Sequence, residues 1–228
     1  MVRKFKHPND IETDTVATID LGGTVVKGEI QSSHQHILEK LGVPSYARQQ
    51  VQNSAENFNG YKNYRKWESA LNEAIEEYAK AHNYAETYLN AVEELVEDRT
   101  IIPGARDFVS YLNERGIDTI ALSNEPVHIA EHLAEELGMT GVYQMAKYSC
   151  GKNSCKLELD ENRSAGKNTV VRLLQDQGSE VMHFGNGKDD EWAVRRADAG
   201  IKQRSWIKQE ESAYKWAKKS VENKEVLV

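Results

Sequence analysis

Asp20 ends a short β-branched run, Val16-Ala17-Thr18-Ile19, and opens a glycine-rich loop, Leu21-Gly22-Gly23-Thr24. A carboxylate at the mouth of a buried strand is placed to attack an electrophile while backbone N–H groups beside it hold an anion. An aspartate that merely caps a turn has the same local sequence, so the weight falls on what the other strand ends supply. Ser123 offers a hydroxyl, and the Asn124 N–H opens a loop that leads into a helix, a suitable setting for phosphate oxygens. Lys167 begins a helix after Ser164-Ala165-Gly166 and brings a cation to offset both nucleophile and phosphate. Asp189 and Asp190, following Gly185-Asn186-Gly187, add hard oxygens of the kind Mg²⁺ prefers. In combination these residue types suit phosphoryl transfer.

The elements that must position them follow from the pattern. Apolar runs at 16–19, 119–122 and 181–184 each pass abruptly into small polar residues, which predicts three buried strands with functional turns at their carboxyl ends. Helical stretches are expected at 105–115 behind Pro103-Gly104, at 126–137 closed by Gly138, at 167–177 closed by Gly178 and at 189–199 closed by Gly200. This alternation predicts an α/β fold with a doubly wound, Rossmann-like parallel sheet, whose ligands bind outside the carboxyl ends of the strands. Such a sheet brings Asp20, Ser123 and Asn186 together. Residues 31–98 depart from the alternation and contain helical runs near 64–81 and 84–96. The expected organisation is therefore a core of residues 1–30 and 99–228 carrying an inserted helical cap of residues 31–98. The charged tail at 205–228, with Trp206, Tyr214 and Trp216, is expected to end in a helix on the core.

Composition narrows the class. With 228 residues, 39% hydrophobic and 29% charged, the chain can bury a sizeable core and is not of the disordered type. A formal net charge of −7 argues against nucleic acid or an anionic membrane as the main partner. No run approaches the roughly 18–20 apolar residues of a membrane span, and residues 1–20 lack the apolar stretch of a secretory signal. A cytoplasmic location is expected. Cys150 and Cys155 fit neither a redox pair nor half a zinc site, and although a bridge across a hairpin is sterically open, two free thiols are expected in a reducing compartment. His128 and His132 read as an exposed helix face, His34-Gln35-His36 as solvated linker, and Arg65 and Lys66 as a solvated helix face. Tyr61, Tyr64 and Trp67 read as the core of the helical insert ahead of a substrate pocket.

In order and spacing, the chain resembles the haloacid dehalogenase-like superfamily, in its phosphoserine-phosphatase-like branch. The stretch from Asp20 to Thr24 is similar to the DxDGT loop, Ser123-Asn124 to the second motif, Lys167 to the third, and Gly185-Asn186-Gly187-Lys188-Asp189-Asp190 to the GDGxxD fourth. The helical insert sits where that branch places its cap. The resemblance implies a phosphatase in which Asp20 takes the phosphoryl group as an aspartyl-phosphate that water then hydrolyses. It implies phosphate binding by Gly23, Thr24, Ser123, Asn124 and Lys167, and Mg²⁺ held by Asp20, the Gly22 carbonyl, Asn186 and Asp190. Glu29 lies at the spacing of a glutamate that engages substrate, but the matching arginine position is Leu71. A small phosphorylated metabolite is the expected substrate, and phosphoserine is not singled out.

Two positions break the pattern. The family carboxylate that moves protons at the leaving group is Gly22 here, and losing such a group typically costs on the order of 10² to 10⁴ in rate. Asn186 puts a neutral oxygen where the family has an anionic one, which weakens a magnesium site. Both changes favour, as an alternative, an attenuated domain that binds a phosphorylated ligand. Carbon–halogen hydrolysis, which needs neither the second aspartate nor magnesium, is a third option; the glycine-rich loop and Asp190 speak against it.

Overall fold

In the computed structural model, which describes residues 2–56, 62–160, 166–187 and 190–202, the three apolar runs become adjacent strands. They are β2 (Thr15–Ile19), β5 (Asp118–Ala121) and β9 (Glu180–Gly185). β2 lies between the other two, with Ile19 opposite Ala121 on one side and Phe184 on the other. With β1 (Arg3–Phe5), β6 (Gly141–Tyr143) and β10 (Ala199–Lys202) they form one six-stranded sheet in the order β1-β6-β5-β2-β9-β10, and every pair in it is parallel. A parallel sheet covered on both faces needs apolar residues all along its strands, and Val16, Ala17 and Ile19 are fully buried accordingly. The chain runs from β2 outward to β5 and β6, then returns to β9 on the far side. This reversal leaves a crevice at the carboxyl ends of β2, β5 and β9. The doubly wound α/β core is thus present as the sequence predicts.

The helices α5 (Ala105–Asn113), α6 (Val127–Leu137) and α7 (Lys167–Asp176) match the sequence pattern closely. α8 (Glu191–Arg196) is shorter than the expected 189–199, because Gly200 does not stop a helix. It belongs to β10, where a Cβ would lie 1.6 Å from the Val194 carbonyl oxygen. Glycine is required there so that the strand can pass under the preceding helix.

Among the described residues, four helices occupy the inserted segment 31–98: α1 (Ser33–Lys40), α2 (Ser45–Glu56), α3 (Lys62–Tyr78) and α4 (Tyr84–Asp98). The runs at 64–81 and 84–96 correspond to α3 and α4; α1 includes His34-Gln35-His36, which reads as linker, and α2 lies in the insert where the sequence marks no separate helix. α1 begins at Ser32, whose hydroxyl accepts the Gln35 N–H at 3.4 Å, a short-range signal for a helix start. A two-residue antiparallel ladder, β3 (Val26–Lys27) with β4 (Thr100–Ile101), forms the neck between these helices and the sheet.

A hairpin of β7 (Ala146–Cys150) and β8 (Cys155–Leu159), an arrangement that the cysteine spacing leaves open, packs between the helices and the core. Its burial alternates residue by residue, as in a sheet with one solvated face. Asn72 of α3 bonds both ways with the Leu157 backbone, at 2.8 and 2.9 Å, closing the outer edge of β8. The turn of the hairpin in turn satisfies the amino end of α4: Tyr84 and Ala85 donate to the carbonyls of Lys152 and Gly151. Cys150 and Cys155 face each other across the ladder and form a disulfide, which corrects the expectation of two free thiols. Among the described residues no helix is long and apolar enough to cross a membrane. Tyr61, Asp189 and the tail with Trp206, Tyr214 and Trp216 lie outside the described residues.

Candidate active site

Asp20 leaves β2 at the crevice, 6% exposed, with its backbone N–H donated to the Phe184 carbonyl at 2.8 Å. Its Oδ1 accepts from Lys167 Nζ at 2.7 Å and its Oδ2 from Thr24 Oγ1 at 3.3 Å. The side chain is therefore oriented from two directions, with a cation against it. Asp20 forms part of a cavity of about 220 Å³, whose wall also includes Gly22, Ser123, Asn124 and Asn186. The sequence-predicted strand ends thus meet in one place.

Gly23 and Thr24 have a different role from the one the resemblance implies. The Gly23 N–H is donated to Val26 O at 2.8 Å and the Thr24 N–H to Leu21 O at 3.1 Å, so both amides are spent on shaping the loop. Neither residue lines the cavity. Gly23 has φ +72°, and a Cβ there would lie 2.3 Å from Asn186 Nδ2. Only glycine lets the first loop approach the last one this closely.

Behind Asp20 lies a buried polar network. Lys167 is 1% exposed and reaches it because Gly166, in the left-handed region at φ +82°, turns the chain into α7 just before it. Its Nζ donates to Asp190 Oδ1 at 2.5 Å as well as to Asp20. Asp190 Oδ1 also faces His183 Nε2 at 3.3 Å, while Oδ2 accepts the N–H groups of Asn186 and Gly187 at 3.1 and 2.9 Å. A carboxylate has about four acceptor positions, and all of them are filled here. Burial alone raises the Asp190 carboxyl, but the charge of Lys167 and the His183 hydrogen bond outweigh it and hold the group well below the usual carboxylate range. Asp190, fully buried and outside the cavity wall, fixes Lys167 and the Asn186 loop and has no oxygen left for a metal. That corrects its expected place among the magnesium ligands.

Of the residues that the resemblance assigns to the metal, Asp20, Gly22 and Asn186 line the cavity, with Glu125 on the same wall. One carboxylate with neutral oxygens fits Mg²⁺, which keeps several waters and leans on substrate phosphate for the rest of its shell. Among the described residues there is no group of three His, Cys, Asp or Glu side chains that would form a denser metal site.

The helical segment closes the other side. His34 is not solvated linker: it stands in α1 and lines the cavity. Its Nε2–H donates to the Asn124 carbonyl at 2.9 Å, Nδ1 lies 2.9 Å from the Tyr148 hydroxyl, and its ring meets Trp67 edge-on at 4.8 Å. His36 likewise pairs with Glu94, at 2.8 Å. Trp67 and Leu71 are buried among apolar side chains, as the insert-core reading expects, and Tyr64 is half-buried near Gly166. Arg65 and Lys66 are exposed, as are His128 and His132, of which His128 meets the Tyr88 hydroxyl at 2.9 Å. Glu29 is exposed and does not line the cavity; its backbone N–H is held by Asp98 Oδ1 at 3.0 Å. Sequence reasoning also missed Glu125, which lines the cavity and accepts from Arg99 Nη2 at 3.0 Å and from the Ser33 hydroxyl. Its position two residues after Ser123, at a strand end already singled out, is the signal that could have found it.

Comparison with known proteins agrees with this architecture. A family model described as haloacid dehalogenase-like hydrolase matches residues 15–198. Among solved structures, the chain is similar to a phosphoserine phosphatase from T. onnurineus in complex with NDSB-201, at 16% identity and TM-score 0.59, covering 89% of this chain and 95% of that one. It is also similar to a substrate-bound phosphoserine phosphatase, at 15% identity and TM-score 0.54, covering 85% and 95%. A phospho-aspartyl intermediate analogue of phosphoserine phosphatase gives 16% identity and TM-score 0.53, covering 82% and 84%. At these identities the likeness is one of fold. No curated protein matches the chain.

Proposed function

The chain belongs to the haloacid dehalogenase-like hydrolase family, and from that premise we propose that it is a Mg²⁺-dependent phosphatase acting on a small phosphorylated metabolite. The observation that carries this reading is the pairing of cavity-lining Asp20 with buried Lys167, beside the Ser123 hydroxyl. Asp20 Oδ attacks phosphorus, the bond to the leaving oxygen breaks, and water then hydrolyses the aspartyl-phosphate. Lys167 offsets the charge of Asp20 and of the incoming phosphoryl group, while Ser123 and the Asn124 N–H hold its oxygens. The helices of residues 33–98 act as the cap, shielding the reacting atoms from bulk water and selecting the substrate. Mg²⁺, when bound by Asp20, the Gly22 carbonyl and Asn186, supplies Lewis-acid stabilisation of phosphoryl charge.

The test is hydrolysis of p-nitrophenyl phosphate and a panel of phosphorylated metabolites, with Mg²⁺ and with EDTA. Metal-dependent phosphate release is expected. Gly22 favours a second reading, a phosphate-binding domain without turnover, and that reading wins if phosphate raises the melting temperature while no member of the panel is hydrolysed. Metal-independent halide release from a 2-haloacid would instead indicate dehalogenation.

A separate expectation concerns the weakened metal site. Asn186→Asp adds a second anionic ligand to the set formed with Asp20 and the Gly22 carbonyl, so the Mg²⁺ concentration for half-maximal activity should fall by roughly tenfold. An unchanged magnesium dependence would remove Asn186 from the ligand set.

A further inference from the structure

Gly22 leaves the proton-transfer position without a side chain, and the question is what occupies the space that side chain would take. Gly22 has an ordinary backbone conformation, and among the described residues, its chain neighbours aside, the one heavy atom within 4 Å of a Cβ built on it is Glu125 Oε1, at 3.9 Å. A carboxylate from the β5 loop therefore stands where a carboxylate from the β2 loop is missing. Glu125 lines the same cavity as Asp20 and Ser123. It is held from behind: Arg99 Nη2 donates to Oε1 at 3.0 Å, the Ser33 hydroxyl donates to Oε2, and Arg99 Nη2 also reaches Ser33 Oγ at 2.8 Å. Arg99 is itself anchored by donating to the Ile30 carbonyl at 2.9 Å. A surface glutamate would be free to sample many rotamers, whereas this one is fixed facing the cavity.

We propose that Glu125 is the general base of the second half-reaction, taking over the task that Gly22 cannot perform. The proposal rests on the phosphatase reading with Asp20 as nucleophile. As water oxygen attacks phosphorus of the aspartyl-phosphate, Glu125 takes the water proton. The bond between phosphorus and the Asp20 oxygen breaks, leaving inorganic phosphate and a regenerated Asp20 carboxylate. Ser33 and Arg99 use two of the roughly four acceptor positions of the Glu125 carboxylate, which leaves acceptor capacity on the cavity side for the proton of a water.

The experiment is rapid-quench and steady-state hydrolysis of p-nitrophenyl phosphate by wild type, Glu125→Gln, Gly22→Asp and the double variant. Glu125→Gln should retain a first-turnover burst of p-nitrophenol close to one per active site. Its steady-state rate should fall by about 10² or more, with the phosphoenzyme accumulating on Asp20. Adding Gly22→Asp to it should restore most of the steady-state rate, because the new carboxylate enters the same space; a merely structural role for Glu125 would not be rescued in this way. Circular dichroism and melting temperature establish that each variant is folded. Steady-state turnover of folded Glu125→Gln within twofold of wild type would overturn the inference and leave the phosphatase reading standing. Loss of turnover in Glu125→Gln without a burst and without rescue would also overturn it. Absence of both burst and turnover in wild type would overturn the phosphatase reading, and the inference with it.

Discussion

Asp20→Asn is expected to lower kcat for p-nitrophenyl phosphate by on the order of 10⁴ or more, since removing a nucleophile leaves only positioning and electrostatics. The substitution keeps the size of the side chain and an oxygen that can still accept from Lys167 Nζ, so the loss would not come from collapse of the network around it. Thermal melting should stay close to that of wild type, and inorganic phosphate should still bind. Mass spectrometry after acid quench should find phosphate on Asp20 in wild type and none in the variant. Activity within tenfold of wild type would mean that the reaction does not pass through this carboxylate.

Lys167→Met should produce the largest change in stability. The ammonium lies between Asp20 and Asp190, whose side chains are 9% and 0% exposed. Breaking a buried ion pair by removing one partner costs about 3–5 kcal/mol, because the remaining charge is left uncompensated. For a chain of this size that corresponds to a fall in melting temperature of roughly 6–20 °C. Turnover should be lost as well, since the same group carries the charge of the incoming phosphate. The pH dependence has a definite sign. Asp190 is held below its unfolded value, so its contribution is present above the ordinary carboxylate range and is lost as pH falls through the folded value. The gap between wild type and Lys167→Met should therefore narrow as pH drops below about 4. A variant that melts within 2 °C of wild type at neutral pH, by differential scanning calorimetry, would mean the network does not carry this weight.

The parts of this fold that were legible in the sequence are those governed by local rules. A buried parallel strand needs a largely apolar run, and 16–19, 119–122 and 181–184 are such runs, with one polar residue in each (Thr18, Thr119 and His183), ending where the crevice opens. Helices closed by glycine in the left-handed region are equally visible, as at Gly138 with φ +74°. Beyond the cysteine spacing, the hairpin β7–β8 was not legible because its partners are tertiary: Asn72 from α3 closes its edge and α4 rests on its turn. α1 and α2 are short and strongly polar, so their apolar faces, Ile37, Leu38 and Ala47 among them, stand out only once packed. Gly200 read as a helix stop because glycine serves both chain reversal and close packing, and sequence alone does not say which.

The same division runs through the site. Asp20, Ser123 and Lys167 could be named in advance because each follows a strand or opens a helix in a recognisable setting. Asp190 could be named but not given its role, since whether a carboxylate faces a metal or a lysine depends on which of its oxygens are already engaged. Glu125 could have been singled out by its place two residues after Ser123, but neither its role nor that of Arg99 could be assigned. Their significance lies in an empty volume beside Gly22, and a missing side chain leaves no trace of what fills its place.

The neck formed by β3 and β4 joins the two ideas. Arg99 follows α4 immediately and precedes that ladder, and its guanidinium touches Asp98, Ile30, Ser33 and Glu125. It binds both chain crossings between the helices and the sheet to one carboxylate in the cavity. A swing of the helices about this ladder that moved Arg99 against Glu125 would alter their contact, and by reciprocity a ligand that engaged Glu125 would change the free energy of that swing by the same amount. On the proposed function, enclosing a substrate and setting the acceptor beside it would then be one equilibrium, read at two ends of a single guanidinium.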